Sequence, residues 1–144
     1  MLIISRMNSL VIINVTDQCG VNALNMTAIT TPIYLSTPNY PQHYPPSVDC
    51  IWTFFTDEGA QEPGGGGTYA ISIFDLETEW WDNLMIGLGQ TVGDSVVFKR
   101  SLWHTPKTVL VDVDGGMWIR FLANDANQFR GFLVQVDRKP FTGR

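Results

Sequence analysis

Residues 36–45 read Ser-Thr-Pro-Asn-Tyr-Pro-Gln-His-Tyr-Pro, and Cys50-Ile51-Trp52 follows a few residues later. Each Pro fixes its own φ and biases the residue before it away from helix, so the two Tyr-Pro pairs predict extended backbone. The Cys then opens a strand in which Trp52 and Phe54 alternate with Ile51, Thr53 and Phe55. Successive strand side chains point to opposite faces, and the Trp52 set is expected inward.

Outward from this stretch, no long segment has the apolar spacing of a helix. Short β-rich runs bounded by turn residues dominate, at residues 9–15, 30–36, 51–56, 69–76, 83–88, 95–99, 108–112, 117–122 and 132–137. That pattern predicts an all-β fold, an antiparallel β-sandwich. Pro63 and the four glycines after it read as a flexible hairpin connection. The run lacks the Gly-Lys-Ser/Thr ending of a phosphate cradle, which argues against a nucleotide site. Asp114-Gly115 predicts a tight hairpin between the strands on either side.

At 144 residues the chain reads as one domain. A domain of this size buries about two-thirds of its unfolded surface, so a sizeable core is feasible. No apolar run approaches the ~20 residues of a membrane span. The net charge is −5 and the isoelectric point near 4.7. That balance disfavours nucleic acid and anionic membranes and suits cationic partners.

Two further segments join the Tyr-Pro stretch: Phe74-Asp75-Leu76-Glu77 with Asp82-Asn83-Leu84-Met85-Ile86, and Asn124-Asp125 with Gly131-Phe132. Together they resemble the CUB domain, a jelly-roll-like β-sandwich module of extracellular proteins. The resemblance covers residues 19–137, leaving a β-prone arm at 1–18 and a polar tail at 138–144. In the calcium-binding members, acidic residues come from the end of the first segment, the start of the second and the late Asp loop. The resemblance therefore implies a Ca²⁺ site at Glu77, Asp82 and Asp125, with Tyr44 hydrogen-bonding one carboxylate. Asn127 and a carbonyl near Ala126 are candidates for remaining ligands.

The chemistry agrees with that implication. Calcium takes about six to eight oxygens, and three neighbouring carboxylates repel one another without a cation. A bound ion would leave a charge of roughly −1, which a partner's Lys or Arg could join by a charge-assisted hydrogen bond. The sequence also departs from the family, which often places a disulfide-linked Cys between the Glu and the Asp. Here Glu79-Trp80-Trp81 fills that stretch, and Leu102-Trp103-His104 falls where the second Cys usually lies. The expected substitute is Trp80 or Trp81 packing on Trp103 in the core, with exposed partner-binding anchors as the alternative. Two consecutive strand residues cannot both point to one face.

Cys19 and Cys50 are the chain's two cysteines, either bridged or free. A bridge closes about 30 residues and stabilises by roughly 3–4 kcal/mol in the chain-entropy picture. The resemblance and the sequons at Asn14 and Asn25 favour the secretory route, the bridge and glycosylation. A signal peptide wants a longer apolar centre than residues 10–13 supply, so a processed product or a fragment of a longer secreted chain is expected.

Catalysis has little to draw on: the histidines are His43 and His104, with no nucleophilic triad order or zinc-ligand spacing. The resemblance implies a non-catalytic, secreted interaction module contacting an extracellular protein or glycan. The alternative is a structural subunit of a filament, matrix or homo-oligomer whose N-terminal arm adds a strand to a neighbour's sheet. Pairing of that arm within its own sandwich is favoured over exchange.

Overall fold

The computed structural model describes residues 11–13, 19–25, 31–55, 67–103, 106–113 and 115–139. They form ten strands: β1 (Val11–Ile13), β2 (Val21–Asn25), β3 (Ile33–Ser36), β4 (Asp49–Phe55), β5 (Gly67–Glu77), β6 (Asn83–Leu88), β7 (Val96–Arg100), β8 (Lys107–Val113), β9 (Gly116–Leu122) and β10 (Gly131–Arg138). One sheet runs β1-β3-β10-β5-β8 and the other β2-β4-β9-β6-β7. Pairing is antiparallel except β1 with β3 and β2 with β4, one parallel pair at an edge of each sheet. This is the expected all-β sandwich. Among the described residues no helix is long and apolar enough to cross a membrane.

Alternation builds the core. Leu35, Ile71, Ile73, Leu76, Phe132, Val134 and Val136 of the first sheet cluster with Trp52, Phe54, Leu84, Ile86, Ile119 and Phe121 of the second. Trp52 meets Phe132 edge-to-face, ring centroids 5.7 Å apart, across the two sheets. Trp52 and Phe54 are buried as expected, while Ile51, Thr53 and Phe55 are half-buried. Cys19 and Cys50 are bonded, tying the segment before β2 to β4.

Some expectations need correcting. The first Tyr-Pro pair is not extended: the Tyr40–Pro41 peptide is cis, Asn39 has φ 67°, and residues 38–42 turn. Asp114-Gly115 does not close a hairpin, because β8 and β9 lie in different sheets. The connection containing the glycine run likewise leaves β4 in one sheet for β5 in the other. Residues 56–66, His104 and Asp114 lie outside the described residues, as does most of the arm. The arm's described part, β1, pairs with β3 of its own sandwich.

Register places four connecting segments at one end. Ser36 pairs with Leu133, Gly131 with Glu77, Asn83 and Asp49 with Leu122, and Leu84 with Arg100. Links 37–48, 78–82 and 123–130 pass between the sheets there, and residues 101–103 leave β7 at the same end. They form one rim, and it carries the residues singled out by sequence.

Candidate functional site

The rim is sewn together at Asp82. The Tyr44 hydroxyl donates to Asp82 Oδ2 at 2.5 Å, and the Asn124 amide donates to Oδ1 at 2.9 Å. Asp82 is fully buried, so these two bonds replace the water a carboxylate would otherwise need. The Tyr44 amide donates to the Phe129 carbonyl at 2.9 Å, and its ring packs edge-on against Phe121 at 5.0 Å. Burial first, and then the bond to Asp82, raises the Tyr44 phenol well above its ordinary range. Three links thus converge on one carboxylate. The resemblance implied that Tyr44 bonds one of the carboxylates without saying which, and Asp82 is its acceptor here.

Glu77 faces elsewhere. Leu76 is fully buried, so its strand neighbours Asp75 and Glu77 point to the outer face of the first sheet. There the Arg130 guanidinium grips Asp75 with a fork, Nε to Oδ2 at 2.5 Å and Nη2 to Oδ1 at 2.7 Å. Its Nη1 lies 3.1 Å from Glu77 Oε1. The Tyr40 hydroxyl donates to Asp75 Oδ2 at 2.7 Å. The Arg130 fork is the main cause that holds the Asp75 carboxyl below its usual range. Arg130 is positioned by Gly131, whose φ of 87° and close approach admit no side chain: an added Cβ would lie 2.0 Å from Thr37 Oγ1.

Asp125 is exposed, and so is Asn127, which adopts φ 58°. Among the described residues, no group of three or more His, Cys, Asp or Glu side chains is placed to share a metal ion. The donors therefore do not fit a calcium cage as they are held. Glu77 is engaged by a cation on the outer face, Asp82 is turned between the sheets, and Asp125 lies in solvent. Two oxygens at one buried carboxylate fall well short of what calcium requires.

Hydrogen bonds tie the segments where the family often has its second disulfide. The Thr78 amide donates to the Leu102 carbonyl at 3.0 Å, and the Leu102 amide donates to Thr78 Oγ1 at 2.7 Å. That hydroxyl also reaches the Glu79 and Asp82 carbonyls at 3.0 and 3.1 Å. Glu77 and Trp103 form an isolated β-bridge beside them.

The expected aromatic clamp is absent from the core. Trp80, Trp81 and Trp103 are 60%, 70% and 63% exposed, and Leu102 beside them is exposed too. Trp80 and Trp81 meet edge-to-face at 6.4 Å, and Glu79 Oε2 accepts the Trp81 amide at 2.8 Å. Residues 78–82 and 101–102 lie outside the strands, so neither segment is obliged to send a residue inward. His43 is exposed. Asn14 lies outside the described residues, and half-buried Asn25 ends edge strand β2 opposite Phe55. Sequence reasoning overlooked Asp75, Thr78 and Arg130. The cue for the ion pair was available: Arg130 directly precedes the Gly131-Phe132 pair, and Asp75 sits inside Phe74-Asp75-Leu76-Glu77.

The sequence profile of the CUB domain matches residues 19–135. Among curated proteins, the human signal peptide, CUB and EGF-like domain-containing protein 3 is 24% identical over 121 residues, 81% of this chain and 11% of that protein. Among solved structures, the full extracellular region of zebrafish Gpr126/Adgrg6 superposes with a TM-score of 0.64 at 22% identity, over 86% of this chain and 15% of the other. The MASP-1 CUB2 domain bound to Ca²⁺ superposes with a TM-score of 0.62 at 17% identity, over 83% of this chain and 99% of the other. The chain thus spans only a small part of the first two proteins. The profile match takes in β2 through most of β10, both sheets and the whole rim, and on that footing the chain belongs to the CUB domain family.

Proposed function

We propose that this chain is a non-catalytic, secreted interaction module that docks an extracellular protein through its rim, with Trp80, Trp81 and Trp103 as anchors. CUB domains are protein-interaction modules found mainly in extracellular proteins. The observation that carries the reading is the exposure of three tryptophans on adjoining links. Indoles in water forgo stabilisation of about 25 cal/mol per Å² of apolar surface, and buried tryptophans dominate interface hot spots. The family's preference for extracellular proteins and the Cys19–Cys50 bridge support secretion. A sugar on Asn25 would sit at the opposite end of the sandwich, because Asn25 pairs at the Phe55 end of β4 and the rim lies at the Asp49 end. A sugar there leaves the rim clear.

The test is an array of purified extracellular proteins and glycans probed with the wild type and with a W80A/W81A/W103A variant. Protein binding lost in the variant, with the melting temperature unchanged, is the expected result. Binding that survives the triple substitution, or binding to glycans alone, defeats the docking reading.

Calcium held by Glu77, Asp82, Asp125 and Asn127 is a second reading of the same rim. The Tyr44–Asp82 bond favours it, as does the fold shared with the Ca²⁺-bound MASP-1 CUB2 domain. The engagement of Glu77 by Arg130 opposes it. Assembly into a filament or homo-oligomer through the N-terminal arm is the structural alternative. It must compete with the pairing of β1 on its own β3, and sedimentation with and without residues 1–16 separates the two.

A further inference from the structure

We infer that Arg130 takes the part of a divalent cation at this rim, so that the module holds its shape without calcium. Asp75 and Glu77 are two apart on β5 and share its outer face. Like charges so placed repel unless a cation lies between them. The strand pairing supplies one: Gly131 is opposite Glu77 and Leu133 opposite Asp75, which brings the preceding Arg130 alongside both. Its guanidinium uses one edge for the bidentate grip on Asp75 and its remaining nitrogen for Glu77. A planar fork matches that task in a way a hydrated ion or a lysine ammonium does not. Tyr40 adds a donor to the same carboxylate.

Asp82 is satisfied separately. Its two oxygens accept from the Tyr44 phenol and the Asn124 backbone amide. The acids that the family resemblance assigns to one ion are therefore held apart: Arg130 engages Glu77, together with Asp75, on the outer face of the sheet, neutral donors hold Asp82 between the sheets, and Asp125 is exposed. The inference stands apart from the docking proposal, because its readout needs no partner.

The test is thermal unfolding of the full chain in millimolar calcium and in chelator, with terbium luminescence as a direct probe of a calcium-type site. The wild type is expected to melt at the same temperature in both conditions and to give no saturable terbium signal. Arg130→Met is expected to lower the melting temperature by a few degrees in chelator. Arg130→Lys, which keeps the charge and loses the fork, should fall between the two and keeps the comparison available if the Met variant does not fold. A wild type that melts higher in calcium than in chelator overturns the inference, and so does a saturable terbium signal. An Arg130→Met protein as stable as the wild type in chelator overturns it equally.

Discussion

The five tryptophans divide into two populations with little in common. Trp52 and Trp118 are 1% exposed, whereas Trp80, Trp81 and Trp103 are each at least 60% exposed. The buried pair sit on strands. Trp52 points between the sheets against Phe132. Trp118, adjacent in β9 to Met117 and Ile119, faces the other way and lies over Gly87, with its Nε1 donating to the Asp94 carbonyl at 3.0 Å. The exposed three sit in or next to the crossing links of the rim. A strand dictates the direction of each side chain through its pleat, while a link between sheets imposes no such alternation. The same residue type therefore builds the core where the backbone is regular and offers apolar surface where it is not.

Trp52→Ala puts the largest strain on that contrast. Truncating it removes the edge-to-face partner of Phe132 and opens a void between the sheets, with an expected cost of about 3–5 kcal/mol. Trp81→Ala should change stability by less than about 0.5 kcal/mol, as surface substitutions usually do. Urea unfolding of both variants checks the pair. Comparable losses would mean that the rim tryptophans contribute to stability after all.

Gly87→Ala probes the other buried tryptophan. A Cβ at that position would stand 2.2 Å from both Cε2 and Cζ2 of Trp118, on a paired strand that cannot easily give way. The indole must move and strain its bond to Asp94, so a cost of about 1–3 kcal/mol is expected. In a Trp118→Ala background the same substitution should cost much less, because the obstructing ring is gone. An undiminished cost there would trace the effect to the β6 backbone and away from the ring.

This division explains what the sequence disclosed. The alternation from Cys50 to Phe55 announced Trp52, and most strands were legible from β-branched and aromatic runs. β2 was not: Asn22, Ala23 and Asn25 are poor strand formers, and its pairing with β4 depends on tertiary context. Asp114-Gly115 was read as a hairpin, whereas β8 and β9 lie in different sheets. At the rim, family resemblance pointed to Tyr44 as the partner of one carboxylate but did not single out Asp82. The Arg130 contacts were overlooked although their residues sit in or beside the recognised motifs, because joining them takes the pairing of β10 with β5 across some fifty residues of chain. Trp80 or Trp81 was expected to pack on Trp103 in the core in place of the missing second disulfide, yet all three are exposed, because the link that carries Trp80 and Trp81 has no strand pleat to turn one of them inward.

A smaller effect is expected where the two populations meet, at Thr78. It is buried itself, yet its hydroxyl and amide bind Leu102 and fix the segment 101–103, with its exposed Leu102 and Trp103, beside link 78–82. Thr78→Val keeps the shape, leaves the Leu102 amide without its acceptor, and should cost about 1–2 kcal/mol. Cys19 and Cys50 hold their segments covalently, whereas this tie can open without breaking a covalent bond. The expected signature is therefore local: faster hydrogen exchange at the Leu102 amide, with protection around Trp52 little changed. An equal loss of protection in both places would show that rim and core unfold as one unit, and that exposed and buried tryptophans belong to a single cooperative structure.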